Sequence, residues 1–432
     1  MNEQAVRTIS NFGEKGLTGE ITLPGDKSIS HRGLLLGALA DGRTTIDNLA
    51  SGRDVQSTIS CLRQLGVSIV DREDGVVIEG RGIRGFTEPK RSLNAGNSGT
   101  LTRLISGILA THRFTTKIDG DKSLRARPMK RIIDPLKAMG AEVDSQRGRL
   151  PLSVSGGDLK GIEYEPDVAS AQVKSCVLLA GLGASGVTTV VEPGPSRDHT
   201  ELMLDAMNYP IQVDENRITV NGPHKLRPLE LNVPGDFSSA GYFLAAACLV
   251  EGSDLTIKSV GLNETRTGFL ELLKRMGASI ELKNFEVSNG EPRGDLVVSR
   301  SHLKGVKLTE EEVVKSIDEL PLLAVVATQA DGTTEVRGAE ELRVKETDRI
   351  QATVTNLKRL GADIEELPDG FVVRGKSKLT GTSVESFKDH RIAMSMAVAA
   401  LVAEGETELV APKWVEVSFP GFFETMEGLL NG

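Results

Sequence analysis

The sequence predicts an α/β protein built from six similar segments that form two globules of three segments each. Apolar helical stretches recur roughly every seventy residues, each after a Ser or Asp of the kind that caps helices. A second helix in most segments ends at a Gly, and a short alternating strand follows it. Because a single core stops growing well before 432 residues, we expect two globules rather than one.

The first helix of each segment is expected to begin at a small polar or acidic residue. The predicted starts are near Ser28, Ser98, Ser170, Ser238, Asp318 and Asp389. The stretches that follow, such as LTRLISGILA and AGYFLAAACLV, are apolar nearly all round. Such helices belong inside a globule rather than on its surface.

The second helices share an ending in which a cation in the last turn precedes Leu-Gly or Met-Gly. Cations at the negative end of the helix dipole and a Gly beyond it favour termination there. The pattern occurs at residues 62–66, 136–140, 273–277 and 357–361. It is degenerate at 204–210 and cut short at 422–426. Strands are predicted directly afterwards, at 67–70, 141–143, 278–281 and 362–365.

Two Pro-Gly steps, at Pro24-Gly25 and Pro234-Gly235, set the expected domain boundaries. Lobe one is predicted to span residues 25–235, and lobe two residues 1–24 together with 236–432. The sixth segment lacks its final strands, so we expect the N-terminal strand at 20–23 to supply one. A chain that crosses between lobes at two Pro-Gly steps suits a hinge.

Composition restricts the kind of partner. The formal net charge of −9 argues against general binding to nucleic acids or acidic membranes, so an anion site must be a local basic cluster. Three separate cysteines without a CxxC pair indicate neither a metal site nor a disulfide framework. Residues 1–4 include an acid and no apolar run, and no stretch reaches transmembrane length. We therefore expect a cytoplasmic protein.

Cations cluster at the predicted helix starts, where unpaired backbone N–H groups already favour anions. They are Lys27, Arg32, Arg103, Lys122, Arg125, Arg127, Lys174, Arg197, Arg343, Lys345, Arg349, His390 and Arg391. Their recurrence at equivalent ends of repeated segments predicts a ligand with two or more negative charges. The alternative for any one of them is an ordinary solvated surface charge.

Two acids interrupt this cationic pattern. Asp318 heads an apolar helix, and Glu346 lies between Lys345 and Arg349. A plain N-cap is the alternative role for Asp318. An acid that neighbouring cations keep ionised is also a natural general base.

Seven motifs in order, LPGDKSISHR, GNSGT, ARPM, SAQVKS, IDELPLLAV, RVKETDR and DHRIAM, resemble the 5-enolpyruvylshikimate-3-phosphate synthase family. They span residues 23 to about 420. The resemblance implies an inside-out α/β barrel of two similar lobes, each of three βαβαββ units, that closes on its substrates. It also implies transfer of the enolpyruvyl group of phosphoenolpyruvate to the 5-hydroxyl of shikimate 3-phosphate, with release of phosphate. The reaction would be an addition–elimination without metal or organic cofactor, performed by a monomer.

The resemblance also implies roles for individual residues. Shikimate 3-phosphate would be held by Lys27, Ser28, Arg32, Ser170, Gln172, Arg197, Asp318 and Lys345. Phosphoenolpyruvate would be held by Lys27, Gly99, Arg127, Gln172, Arg349 and Arg391, with Asn97 and His390 as further candidates. Asp318 would take the 5-hydroxyl proton and Glu346 would exchange a proton at the enol methylene, with Lys27 touching both substrates.

Two positions depart from the pattern of some members. Ala171 replaces a second serine, and the segment Glu416-Val417-Ser418-Phe419-Pro420 lacks a lysine before Phe-Pro. Both bear on substrate contacts, and the second bears on the sensitivity to glyphosate that is typical of the family.

Two alternatives differ in function. One is the sister enzyme that moves enolpyruvyl to UDP-N-acetylglucosamine, but its usual cysteine five residues before the Arg of ARP is Lys122 here. The other is a non-catalytic anion-binding or RNA-end-binding protein, which would not need Asp318 or Glu346 and would more often be basic overall.

Overall fold

A computed structural model describes residues 5–10 and 15–431, which divide into two compact units. Lobe one consists of Gly25–Val233 and the short stretch Val287–Glu291. Lobe two consists of the residues up to Pro24, Pro234–Glu286 and the residues from Pro292 onward. Two details differ from the expected boundaries, since Pro234-Gly235 belongs to lobe two and Val287–Glu291 to lobe one. The expectations for residues 1–4, 11–14 and 432 lie outside the described part of the chain.

Helices occupy both lobes, and their bounds follow the predicted segments. In chain order the α-helices are α1 Lys27–Leu39, α2 Arg53–Gln64, α3 Gly99–Leu109, α4 Lys122–Ala126, α5 Lys130–Ala138, α6 Ala171–Gly181, α7 His199–Ala206, α8 Phe237–Leu249, α9 Gly268–Met276, α10 Glu310–Ser316, α11 Leu320–Thr328, α12 Arg349–Arg359, α13 His390–Val402 and α14 Phe422–Asn431. Short 3₁₀ helices span Glu340–Val344 and Pro412–Val417.

The strands are short, and most follow a helix. They are β1 Val6–Ser10, β2 Thr18–Thr22, β3 Arg43–Asp47, β4 Ser68–Arg72, β5 Gly75–Glu79, β6 Leu93–Asn94, β7 Thr115–Asp119, β8 Glu142–Ser145, β9 Leu152–Ser155, β10 Glu163–Tyr164, β11 Gly186–Val191, β12 Ile211–Asp214, β13 Arg217–Gly222, β14 Glu230–Asn232, β15 Asp254–Gly261, β16 Ser279–Ser288, β17 Glu291–Ser299, β18 Gly332–Val336, β19 Asp363–Leu367, β20 Gly370–Gly375, β21 Ser383–Glu385 and β22 Glu406–Val410.

The described strands form six separate sheets, one for each predicted segment. Lobe one contains the sheets β14-β3-β5-β4, β6-β7-β9-β8 and β10-β11-β13-β12. Lobe two contains β16-β17-β15-β2, β18-β20-β19 and β1-β22-β21. None of these sheets closes on itself, and each lobe has its own hydrophobic core. The α/β class and the sixfold repetition are thereby confirmed.

Two strands pair within the lobe that the chain is about to leave. Strand β2 precedes the crossing at Pro24-Gly25 and pairs in parallel with β15 of lobe two. Strand β14 precedes the crossing back and pairs in parallel with β3 of lobe one. The prediction that residues 20–23 complete the sixth sheet is therefore wrong, because that segment completes the fourth. The sixth sheet is completed by β1, which runs antiparallel to β22.

The helix starts were predicted correctly at Ser98, Ser170 and Asp389, which are the N-caps of α3, α6 and α13. The predictions of Ser28 and Ser238 as caps are wrong. The carboxylates of Asp26 and Asp236, two residues earlier, accept hydrogen bonds from the third backbone N–H beyond them, at 2.9 and 3.0 Å. A carboxylate directly after a Pro-Gly turn accepts the first exposed donors before a later serine can.

Asp318 is not a cap either, since α11 begins at Leu320 after Glu319. The predicted Gly-terminated helices are confirmed at Gly66, Gly140, Gly277 and Gly361, which have φ between +85° and +105°. In the degenerate third copy Asn208 takes this conformation instead, with φ of 56°. Within the described residues no helix is both long and apolar enough to cross a membrane.

Candidate active site

Arg32 is the centre of the cation cluster in lobe one. It lies on α1, and its side chain is buried. Its Nε donates to Thr200 Oγ1 at 2.7 Å, and its Nη2 donates to Ser175 Oγ at 2.8 Å. Its Nη1 donates to the Ser28 carbonyl at 3.1 Å. All three acceptors are neutral oxygens, so the guanidinium charge is held in place without being cancelled by direct contact with a carboxylate.

Two other residues at the start of α1, Lys27 and His31, have partners of their own. Lys27 Nζ lies 3.3 Å from Asp54 Oδ2, and its side chain keeps 20% exposure. His31 is fully buried, and burial together with the charges of Lys27 and Arg32 lowers its pKa to about 3. His31 is therefore neutral at physiological pH, and its Nδ1 lies 2.7 Å from Thr58 Oγ1.

Other predicted residues of lobe one are joined by hydrogen bonds between α3, α6 and the end of α4. Arg127 Nη2 donates to Asn97 Oδ1 at 2.7 Å. Arg103 Nη1 donates to Gln172 Oε1 at 2.7 Å and to the Gly99 carbonyl at 3.3 Å. A methyl group on Gly99 would lie 2.7 Å from Arg103 Nη1 and 3.2 Å from Arg127 Nη1. A side chain here would therefore displace the ends of two arginine side chains, which glycine allows to approach the backbone.

Ser170 and Arg197 complete the predicted set in lobe one. Ser170 caps α6 through its Oγ, so its side chain lies at the start of the helix that carries Gln172. Arg197 lies in the segment between β11 and α7, and its charge contributes to lowering the pKa of Arg32. The two cations are thus close enough to repel each other.

Lobe two presents a different arrangement, in which carboxylates surround each guanidinium. Arg349, at the start of α12, is buried. Its Nη2 lies 2.7 Å from Glu346 Oε2, its Nη1 lies 3.3 Å from Asp318 Oδ1, and its Nε lies 2.7 Å from Asp389 Oδ2. Burial alone would lower the pKa of Arg349, but these acids outweigh it and the pKa is raised.

Arg391, at the start of α13, meets the same Asp318 from another direction. Its Nη2 lies 3.4 Å from Asp318 Oδ2, and its Nη1 lies 3.3 Å from Glu319 Oε1. Ser238 Oγ donates to Glu319 Oε1 at 2.5 Å and accepts from Arg391 Nη2 at 3.3 Å. Burial raises the pKa of Glu319, and Arg391 opposes that effect. Asp318 thus bridges two arginines, as expected for an acid held in a cationic setting.

Two further predicted residues lie beside this pair of arginines. Lys345 lies four residues before Arg349, and burial lowers its pKa. His390 is buried at the first position of α13, beside the Asp389 that holds Arg349.

The structure brings the predicted residues into two groups, one in each lobe. Three other cations of the predicted cluster have acidic partners outside these groups. Arg125 forms an exposed ion pair with Asp119, Arg343 pairs with Asp348 and Glu366, and Lys174 points into a buried carboxylate pair. We therefore do not assign these three cations to the ligand-facing cluster, because acids of the same lobe already compensate each charge.

Several residues of the two groups escaped the sequence reasoning. Glu319 and Asp389 hold the lobe-two arginines, and Ser175 and Thr200 hold Arg32. Sequence offered one usable signal, the second acid in IDELP, which follows Asp318 directly. The hydroxyls carried no signal, since serine and threonine on buried helices more often bond to their own backbone.

Comparison with known proteins places these groups in context. A family model described as EPSP synthase (3-phosphoshikimate 1-carboxyvinyltransferase) matches residues 13–426. The chain is 48% identical over 414 residues to a 3-phosphoshikimate 1-carboxyvinyltransferase of Brevibacillus brevis, covering 95% of this chain and 97% of the relative. It is 50% identical over 416 residues to a protein of the same name from Bacillus velezensis, covering 96% and 97%.

A solved structure gives the same result at the level of the fold. An EPSP synthase from Acinetobacter baumannii superposes with a TM-score of 0.89 at 43% sequence identity, covering 98% of both chains. These similarities do not favour the alternative of transfer to UDP-N-acetylglucosamine, nor that of a non-catalytic binding protein.

Proposed function

The chain belongs to the EPSP synthase (3-phosphoshikimate 1-carboxyvinyltransferase) family, and from this we propose how its two groups of charged residues serve the reaction. The enzyme transfers the enolpyruvyl group of phosphoenolpyruvate to the 5-hydroxyl of shikimate 3-phosphate and releases phosphate, a step of aromatic amino-acid biosynthesis. The observation that carries the proposal is the placement of Asp318 and Glu346 against Arg349. Acids for proton transfer thereby lie beside a group suited to an anionic substrate.

Shikimate 3-phosphate is assigned mainly to lobe one. Its binding residues are proposed to be Lys27, Ser28, Arg32, Ser170, Gln172 and Arg197, with Lys345 and Asp318 of lobe two. The arrangement of Arg32 supports this role, because its bonds to neutral oxygens leave a full positive charge for a phosphate.

Phosphoenolpyruvate is assigned to Lys27, Gly99, Arg127, Gln172, Arg349 and Arg391, with Asn97 and His390 nearby. Arginine suits this ligand because its planar fork matches both a carboxylate and a phosphate. On binding, the anion would replace some of the carboxylate oxygens now bonded to Arg349 and Arg391. That exchange would free Asp318 and Glu346 for proton transfer at the moment the substrate is in place.

The chemistry then proceeds by addition and elimination. The 5-hydroxyl oxygen forms a bond to C2 of phosphoenolpyruvate while Asp318 takes the hydroxyl proton and C3 gains a proton. Breaking the C2–O bond to phosphate and removing a proton from C3 restores the double bond. We assign the proton exchange at C3 to Glu346, and expect Lys27 to contact both substrates.

Further aspects of the proposal concern the setting of the enzyme. We propose that it works as a monomer in the cytoplasm, on small molecules rather than nucleic acid or membranes. Three buried, unpaired cysteines support a reducing compartment.

The test is phosphate release from phosphoenolpyruvate by the purified chain. We expect release with shikimate 3-phosphate and none with UDP-N-acetylglucosamine. Release with the second acceptor only, or with neither, would contradict the proposal.

A further inference from the structure

A buried lysine lies between two carboxylates, on the helix that also carries Ser175, a hydrogen-bond partner of Arg32. Lys174, on α6, is 1% exposed. Its Nζ lies 2.5 Å from Glu201 Oε1 and 2.8 Å from Glu192 Oε2. Glu192 Oε1 also accepts from Ser196 Oγ at 2.5 Å, one residue before Arg197. The family roles above make no use of Lys174, Glu192 or Glu201.

This cluster is connected to Arg32 through adjacent residues of two helices. Ser175 follows Lys174, and Thr200 precedes Glu201. Ser175 Oγ and Thr200 Oγ1 lie 2.7 Å apart, and both accept from the Arg32 guanidinium. Lys174 and Glu201 therefore each lie one residue away from a hydroxyl that holds Arg32.

Glu201 is the acid best placed to neutralise Arg32. It exerts the strongest effect of any neighbouring charge on the pKa of Arg32, raising it, although burial dominates and lowers that pKa to about 10. Its second oxygen, Oε2, is buried and accepts no hydrogen bond within the described residues. A buried carboxylate with an unsatisfied oxygen takes another donor when one is within reach.

We propose that Lys174 is a positioning residue for shikimate 3-phosphate binding, which acts by holding Glu201 and Glu192 away from Arg32. By this account the ammonium neutralises the two acids, so that the Arg32 charge remains available to the substrate phosphate. The inference rests on the proposed function, in which Arg32 binds that phosphate. Lys174 touches no substrate in this account.

The test compares three variants by titration calorimetry with shikimate 3-phosphate alone and by steady-state kinetics. We expect K174Q to weaken shikimate 3-phosphate binding at least about tenfold, while the KM for phosphoenolpyruvate changes less than about twofold. E201Q should leave the affinity at or above that of the unaltered enzyme. The double variant K174Q/E201Q should recover most of the lost affinity, because the acid that competes for Arg32 is gone.

A matched control exists in lobe two. Lys258 also lies between two carboxylates, with Nζ 3.3 Å from Asp295 Oδ2 and 3.6 Å from Glu20 Oε2. K258Q should leave shikimate 3-phosphate affinity unchanged. Melting temperatures of all variants separate loss of affinity from loss of fold.

Three outcomes would overturn the inference. They are an unaltered affinity in folded K174Q, a loss in E201Q as large as that in K174Q, or no recovery in the folded double variant. Should K174Q alone fail to fold, E201Q and the double variant still decide the matter. Failure of the proposed function looks different, since the unaltered enzyme would then neither bind shikimate 3-phosphate nor release phosphate with it.

Discussion

The two lobes share one repeated architecture, but the arginines of their proposed sites have different kinds of hydrogen-bond acceptor. In lobe one Arg32 donates hydrogen bonds to two hydroxyls and a carbonyl. In lobe two Arg349 contacts three carboxylates, and Arg391 contacts two. A cation on neutral oxygens is prepared for a ligand anion, whereas a cation on carboxylates also keeps acids in place for proton transfer. On the proposed assignments, lobe one contributes anion binding, and lobe two contributes both anion binding and the acids for proton transfer.

The corresponding turns show where this difference begins in the sequence. LPGDKSISHR in lobe one and VPGDFSSAGY in lobe two place the same Asp cap before α1 and α8. The positions of Lys27 and Arg32 are taken in lobe two by Phe237 and Tyr242, both buried. Lobe two therefore packs an aromatic start where lobe one presents cations, and its own arginines come from α12 and α13.

The largest expected effect concerns the acid that bridges the lobe-two arginines. D318N should lower kcat by about 10²- to 10⁴-fold, because it removes the proposed proton acceptor while keeping the shape of the side chain. Phosphate release under saturating substrates measures this. E311Q, an exposed acid on α10 that pairs with Lys315, is the matched control and should behave as the unaltered enzyme. Unchanged turnover in D318N would contradict the proposal that lobe two supplies the proton acceptor.

A smaller effect is expected from a lobe-one cation. R127A should raise the KM for phosphoenolpyruvate about tenfold or more, and more than the KM for shikimate 3-phosphate, because a charge-assisted bidentate contact is lost. The neighbouring R125A, which removes only an exposed ion pair with Asp119, should change neither constant. Equal increases in both constants would contradict the assignment of Arg127.

The burial of His31 beside Lys27 and Arg32 should also affect stability in acid. The pKa of folded His31 is about 3, against 6.5 for an unperturbed histidine. Below pH 6.5 the unfolded chain therefore binds a proton at this residue, whereas the folded chain does not. Stability is therefore lost as the pH falls. H31Q should reduce that loss by up to roughly 1.4 kcal/mol per pH unit between pH 6.5 and 4. Urea unfolding across this range measures it, with exposed His302 as H302Q for the control. Identical slopes would show that His31 takes up its proton in the folded state.

The smallest expected effects are on stability. They concern two corresponding helix C-termini, which end at an Asn in lobe one and at a Gly in lobe two. Asn208 in lobe one and Gly277 in lobe two both have positive φ. N208G should raise the free energy of unfolding by less than about 1 kcal/mol, since glycine adopts this conformation without strain. G277A should lower it by about 1–2 kcal/mol. Thermal or denaturant unfolding distinguishes the two, and a stabilising G277A would contradict the comparison.

The sequence predicted those parts of the fold that depend on interactions between residues close together in the chain. Apolar helices and Gly-terminated helices follow from the periodicity and from backbone preferences of single residues. The caps at Ser28 and Ser238 were mispredicted because two suitable acceptors lay two residues apart, and only the turn geometry decides between them. The pairing of β2 with β15 was missed because strand partners far apart in the chain leave no local trace.

The site was predictable to a similar degree. Motifs placed Arg32, Arg349 and Asp318 among the functional candidates, but not the partners that determine their charge state. That Lys174 faces Glu192 and Glu201 instead of a ligand depends on packing between α6, α7 and the end of β11. The sequence around a lysine near a helix start does not show whether its charge binds a ligand or is neutralised by acids from other elements.

The register of β1 on β22, from Val6 opposite Val410 to Ser10 opposite Glu406, has a consequence for biosynthesis. Every strand of the three lobe-one sheets lies between residues 43 and 232, so those sheets can assemble while the remainder is still being translated. The strands before residue 25 must wait on the ribosome for partners made about 230 to 400 residues later. During synthesis, β1 and β2 therefore stay without their strand partners for longer than any strand of lobe one. We expect chaperones to have the most time to bind at this amino-terminal segment.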